Sequence, residues 1–209
     1  MPAVLTPAQI EEKRTGLVLA AVEILETSGL DKLTLRRLSD KVGVSRSTPY
    51  LYFKDKLALI DAMRIHGLLG LTQSSRDAVA DIKVDGDYIE YMRRLGSVYV
   101  DFGLNRPVLY RLIFVSGLPD EDISPEFCQA IEQHRALIMS PMQSAYAAGM
   151  LSMPPERLDP VLWSAIHGLL TLRHAGHLGQ DEDFYQVRTD LENILALGFL
   201  NIDHRNKPD

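Results

Sequence analysis

Cysteine is almost absent from this chain. Cys128 stands alone among 209 residues, so no disulfide can close within the chain, and a reducing compartment is the expected setting. Aromatic residues are sparse at 7%, with a single tryptophan, Trp163. No apolar run approaches the ~20 residues of a membrane-spanning helix. The start, MPAVLTPAQIEEKR, has no charged stretch leading into an apolar core, as a secretory signal would. These absences predict a soluble cytoplasmic protein that makes no membrane contact. Signatures of catalysis are missing too: there is no G-x-S-x-G, no phosphate loop and no H-E-x-x-H. Cys128 and His134 do not make a convincing dyad. His167, His174 and His177 fall on one predicted helix, and two His on one face can hold zinc. No Cys or carboxylate cluster accompanies them, however, and Arg173 opposes a cation there. No catalytic residue, metal or other cofactor is therefore assigned.

What is present is helical. Hydrophobic residues make up 46% of the chain, ample for a core, and no alternating apolar–polar run demands a strand. Thr6-Pro7-Ala8-Gln9 offers a cap, a first-position Pro and a capping-box Gln, opening a helix to about Ser28. A further helix is predicted from near Asp55 to about Ala78, then one over Tyr88–Leu104. A shorter one begins at Pro107 and runs to about Val115, before a loop over Gly117–Asp122. Ser124-Pro125 opens a long helix to about Ala148, kinked at Pro141. Asp159-Pro160 caps a helix to about Leu178, and Asp183 caps the last, to about Ile202.

The segment Leu33 to Lys56, LTLRRLSDKVGVSRSTPYLYFKDK, carries the most information. Thr34 is placed to cap a helix whose apolar stripe is Leu35, Leu38 and Val42. Gly43 follows as a residue that adopts positive φ at little cost. Ser45 can cap the next helix, through Tyr50, Leu51 and Phe53. Pro49 lacks an N–H and is tolerated only near a helix start, which shifts that start later, to a cap at Ser47. Two helices across a short glycine turn make a helix-turn-helix. Read alone, the pattern equally suits an ordinary corner between two helices. Charge favours the DNA reading. Residues 1–57 carry nine Lys/Arg against seven Asp/Glu, a local +2 in a chain whose net charge is −6, so the remainder is acidic and repels a duplex.

Flanked by AAVEILETSGL before it and YLYFKDKLALI after it, this segment closely resembles the N-terminal domain of TetR-family transcriptional regulators. The resemblance covers Leu17–Ile60. It implies an all-α protein of about nine helices, with a three-helix DNA-binding head at residues 1–56 and a ligand-binding, dimerising body at residues 57–209. A connecting helix would start at Asp55. Two departures stand out: Ser47 where the family often has Gly, and Pro49 where it often has a small or branched residue. Both bear on the register of the base-contacting residues.

The resemblance places Thr34, Arg36, Ser45, Arg46, Ser47, Thr48, Tyr50, Tyr52 and Lys56 at double-stranded DNA. Arg46, Ser47 and Thr48 open the recognition helix, where base edges are reached. Tyr50 and Tyr52 resemble the family's phosphate-gripping tyrosines, although either could be core, Tyr50 more readily. Lys56, at a helix start, can meet a phosphate. Thr34 and Arg36 suit backbone contacts.

A second resemblance lies downstream. Asn105–Phe114 and Trp163-Ser164-Ala165-Ile166-His167-Gly168 look like the WHG type of TetR C-terminal domain. It implies a small-molecule pocket whose candidate walls are Tyr91, Tyr99, Phe102, Tyr110, Phe114, Met139, Met142, Trp163 and His167. His167 or Arg94 would be a polar anchor. It also implies a homodimer through the last two long helices, at 159–178 and 183–202, along Leu162, Ile166, Leu169, Leu170 and His174 and along Leu191, Ile194, Leu195 and Phe199. The function expected is a transcriptional repressor released from a pseudo-palindromic operator by a small, largely apolar effector. The alternatives are a DNA-localised protein-interaction module on the same fold and an enzyme using the body cavity.

Overall fold

The structure, a computed structural model, describes residues 5–83, 87–115, 123–179 and 181–201. The loop expected at Gly117–Asp122 lies outside them. Eight α-helices follow in order: α1 (Pro7–Ser28), α2 (Leu35–Val42), α3 (Lys56–Val79), α4 (Tyr88–Asn105), α5 (Pro107–Phe114), α6 (Pro125–Ala147), α7 (Pro155–His174) and α8 (Asp181–Phe199). Two 3-10 turns, Leu30–Lys32 and Thr48–Leu51, interrupt the first part. Among the described residues the sole β-feature is an isolated bridge between Leu151 and Leu200. The all-α expectation holds, and the eight α-helices among the described residues are close to the nine expected.

The chain divides into two compact units. One comprises Met1–Gly70 and Arg106–Ile131, the other Leu71–Asn105 and Glu132–Asp209. The first unit therefore includes α5 as well as the N-terminal helices.

In the first unit, α1 starts on a complete capping box. The Thr6 N–H donates to Gln9 Oε1 at 2.9 Å and the Gln9 N–H to Thr6 Oγ1 at 3.3 Å, a device worth about 1 kcal/mol. Leu17, Val18, Ala21, Val22 and Leu25 bury its inner face, which packs against α2 and α5. Arg106, just before α5, ion-pairs with Glu26 of α1 at 2.8 Å.

In the second unit, α7 packs against α4 and α8. Its core gathers Tyr88, Met142, Ala145, Leu151, Leu158 and Phe199. Gly103 of α4 is required by close approach, since a Cβ there would sit 2.7 Å from Leu170 Cδ1. The end of α8 is tied back by Ser152 N–H to Phe199 O at 2.7 Å and Asn201 N–H to Met150 O at 3.0 Å.

Two helix starts differ from expectation. The seventh helix begins at Pro155, not at Asp159-Pro160, and Pro160 lies inside it. Pro155 takes the early position where a missing N–H costs nothing. That helix also ends sooner, at His174, with Gly176 in a left-handed conformation at φ 75° beyond it. The last helix begins at Asp181 rather than after Asp183.

Candidate nucleic-acid interface and buried polar groups

The reading segment is built on α2. The Thr34 hydroxyl accepts from the Arg37 N–H at 3.1 Å, so its side chain is occupied as a cap. Gly43 adopts φ 74°, ψ 32° and donates to Ser39 O. The Val44 N–H reaches the same carbonyl at 3.1 Å, closing the helix end in a Schellman-type arrangement. Both the Thr34 cap and the Gly43 turn were readable from sequence, because each is a local hydrogen-bonding requirement.

The next element corrects the sequence reading. It is a 3-10 turn over Thr48–Leu51, not an α-helix running to Phe53. Thr48, Tyr50 and Tyr52 donate to Ser45 O, Ser47 O and Pro49 O at 2.9–3.2 Å, the i to i−3 pattern of 3-10 geometry. Pro49 has no N–H to give, which removes one bond an α-helix from Ser45 would need. Ser47 holds the cap position, as Pro49 suggested, but makes no side-chain cap bond. Instead Ser45 Oγ lies 3.0 Å from Ser47 Oγ and 2.8 Å from Thr48 Oγ1.

This tighter winding changes which side chains face solvent. Pro49 and Phe53 are buried, and the Arg14 guanidinium sits over the Phe53 ring at 5.5 Å. Tyr50 is 59% exposed, so it is not core, and Tyr52 is the more covered of the two tyrosines. Leu51, at 80% the most exposed of the large hydrophobics here, was not anticipated. A β-branch-free apolar tip suits a thymine methyl, but apolar periodicity would have sent it inward. Arg36, Ser45, Arg46 and Ser47 are exposed, and Thr48 is half-buried. Lys56 is engaged elsewhere: its ammonium donates to Leu30 O at 3.0 Å. The start of α3 is held by Asp55, whose carboxylate accepts from the Ala58 N–H at 2.8 Å.

The candidate pocket residues fall in both units and are described unit by unit. In the second, the Trp163 indole N–H donates to the Tyr99 hydroxyl at 3.1 Å, and the Trp163 and His167 rings lie 5.4 Å apart. The i, i+4 spacing had placed them on one face. Burial, and secondarily His174, pushes the His167 pKa down. Tyr91 donates its hydroxyl to Leu137 O at 3.0 Å, and Met142 is core. Phe102 and Met139 are half-buried. Arg94 is spoken for by Glu90 at 2.9 Å and Asp81 at 2.7 Å. His174 Nε2 lies 3.0 Å from Gly103 O, a structural tie. His134, hydrogen-bonded to Thr72 at 3.1 Å, has its pKa pushed down to about 4 by burial. Among the described residues no group of three or more His, Cys, Asp or Glu is arranged to hold a metal. In the first unit, Tyr110 is buried and its ring lies 5.3 Å from that of Phe114.

A group the sequence reading missed is Arg64 of α3, 4% exposed. Its guanidinium lies over the Phe127 ring at 3.9 Å. Nε and Nη1 have no hydrogen-bond partner, nor does the buried Oδ1 of Asp61, one turn earlier on the same helix. Burial lowers the Arg64 pKa, and the Asp61 carboxylate opposes that shift. A desolvated cation costs several kcal/mol, of which the aromatic face returns about 2 kcal/mol. No periodicity announces such a residue, because a lone Arg in a helix reads as surface.

The last two helices expose a row of large apolar side chains. Val161 and Leu172 on α7 and Val187, Ile194 and Leu197 on α8 are exposed, Ile194 to 67% and Leu197 to 61%. Eleven and seven residues both return to one helix face. Of the residues expected at a subunit interface, Leu169, Leu170 and Phe199 instead belong to the core of their own unit, while Ile194 does face solvent. The helical stripe was legible, but not which edge of it turns outward.

Comparison with known proteins agrees with these observations. Residues 17–63 match the family described as bacterial regulatory proteins, tetR family, and residues 92–190 match the tetracyclin repressor-like C-terminal domain. Both stretches of the second resemblance fall within the latter. The tetracycline repressor protein class D of Escherichia coli is 40% identical over 52 residues, 25% of this chain and 24% of that protein. The match thus spans about a quarter of the tetracycline repressor's length. The HTH-type transcriptional regulator SrpR of Pseudomonas putida is 26% identical over 204 residues, covering 92% of this chain and 88% of that protein. Among solved structures, a protein of unknown function from Rhodococcus sp. RHA1 superposes with a TM-score of 0.79 at 28% identity, over 90% of this chain and 95% of that one. A TetR family transcription regulator from Marinobacter aquaeolei VT8 shares the fold, with a TM-score of 0.70 at 20% identity, over 94% of this chain and all of that one. Among the described residues no helix is long and apolar enough to cross a membrane.

Proposed function

The chain belongs to the TetR family of DNA-binding transcriptional regulators, and from that premise we propose that it is a one-component repressor acting in the cytoplasm by binding rather than by catalysis. It works as a homodimer whose two reading segments enter successive major grooves about 34–36 Å apart. A small, largely apolar effector favours a body conformation that misplaces the heads. The effector needs only differential affinity for the two states to release the operator.

One observation carries this reading. The Gly43 turn presents a short element whose solvent face is Ser45, Arg46, Ser47, Tyr50 and Leu51, while Pro49 and Phe53 anchor it from behind. Hydroxyls and an arginine suit base edges and phosphates, and no salt bridge within the chain consumes Arg46 among the described residues. The exposed aliphatic row on α7 and α8 supports self-association, since a row of that kind left in water is a liability.

Selection of bound duplexes from a random pool tests the proposal. A pseudo-palindrome with half-sites about one helical turn or a multiple apart is expected. Enrichment of asymmetric sites, or of none, contradicts it.

A further inference from the structure

Resting on that regulator reading, we propose that the effector has an apolar body and a neutral hydrogen-bonding head, an amide, which Arg64 and Asp61 of α3 recognise. The observation is a set of unmet hydrogen-bonding atoms inside the first unit: Nε and Nη1 of Arg64 and Oδ1 of Asp61, all buried and all without a partner. Buried polar groups are satisfied in all but a few places per protein, and the exceptions call for an explanation. The Arg64 guanidinium carbon lies over the Phe127 ring at 3.9 Å, a contact that offsets part of the cost of burying the cation but gives Nε and Nη1 no oxygen to donate to. One turn further along α3, Gly67 brings Leu109 and Ile113 of α5 to within about 3 Å of where a Cβ would stand, so the setting beside these groups is apolar.

The charges decide the head group. A guanidinium and a carboxylate cancel, so a neutral head leaves no net buried charge. A carboxylate head would satisfy Arg64 but set a second anion near Asp61. An ammonium head would do the reverse with Arg64. A hydrocarbon would leave all three atoms unmet. An amide offers a carbonyl to Arg64 and an N–H to Asp61, matching both kinds of unmet atom.

Three probes with a common body test this on the full chain: 3-phenylpropanamide, 3-phenylpropanoate and propylbenzene, by calorimetric titration and thermal shift. The amide is expected to bind about tenfold or more tightly than either of the others. Arg64→Met should erase that preference. Without any probe, the Arg64→Met, Asp61→Leu double variant should have a Tm no lower than the parent chain, because it removes both unmet groups together and leaves no lone buried charge. A lower Tm would make the pair structural, satisfied by a bound water, and would overturn the proposal. Asp61→Asn, a gentler change, should shift the preference to 3-phenylpropanoate, since Arg64 would then stand uncompensated. Equal binding of all three probes to the parent chain, tightest binding of the carboxylate, or no binding of any also overturns it. Binding of a selected duplex without probe reports separately on the regulator reading. Its absence would sink that reading while leaving the head-group preference measurable.

Discussion

The Ser45–Tyr52 segment and the α7–α8 face both leave large side chains in solvent, yet they differ in what accompanies them. Around Tyr50 and Leu51 stand three hydroxyls and Arg46, on a turn too short for a helix. Around Ile194 and Leu197 the exposed large side chains are apolar, Val187 and Tyr185 among them, with Asp190 between, on two helices of 20 and 19 residues. The first surface is chemically suited to a polyanion, whose contacts are polar and wet. The second suits a surface like itself, since obligate self-interfaces resemble a core cut in half. Exposure alone would have grouped them; an arginine and hydroxyls beside the first, against a carboxylate beside the second, separate them.

Replacing Ile194 and Leu197 together by Glu should weaken self-association more than about a hundredfold, read as a monomer by analytical ultracentrifugation. Unchanged sedimentation would assign those side chains another task. Next in size, Arg46→Ala should lower affinity for a selected operator about 10- to 100-fold and relax base preference at one position in each half-site. Fluorescence anisotropy on single-base operator variants reports this, and sedimentation should not move.

A third change touches neither surface. His134 is half-buried in the second unit, with its pKa pushed down to about 4 by desolvation, below the ordinary value of about 6.5. The unfolded chain therefore takes up this proton first. Stability from keeping the ring neutral is present above about pH 6.5 and is lost as pH falls toward 4, by up to about 3 kcal/mol. Urea unfolding of the parent chain and His134→Asn across that window should show a shallower pH dependence in the variant; parallel curves would contradict the burial argument. The smallest effect sharpens the polar end. Gly43→Ala forces a Cβ into a left-handed conformation and should cost about 1 kcal/mol, seen as a lower Tm.

Much of the frame was legible in the chain because it rests on local hydrogen bonding. Thr6 with Gln9, Thr34 with the Arg37 N–H, and Gly43 each do what their residue types demand within a turn of sequence. Pro49 gave the late start at Ser47, but periodicity assumed 100° per residue, and a 3-10 turn advances by about 120°. That difference hid Leu51. At the seventh helix two prolines competed for the start, and Asp159-Pro160 offered the better local cap while Pro155 had the packing. Arg64 was invisible for another reason: burial is a property of the assembled unit, and nothing within four residues of it demands an interior position.

Operator binding by this fold requires, before anything else, phosphate contact by the reading segment. The decisive measurement is the affinity of the dimer for its selected operator as salt rises from about 50 to about 200 mM, for the parent chain and for a Tyr50→Phe, Tyr52→Phe variant. With about three phosphate contacts in each head, parent affinity should fall about a thousandfold, and the variant should bind more weakly throughout. Affinity that ignores salt, or a variant indistinguishable from the parent, would contradict the assignment of this segment to DNA.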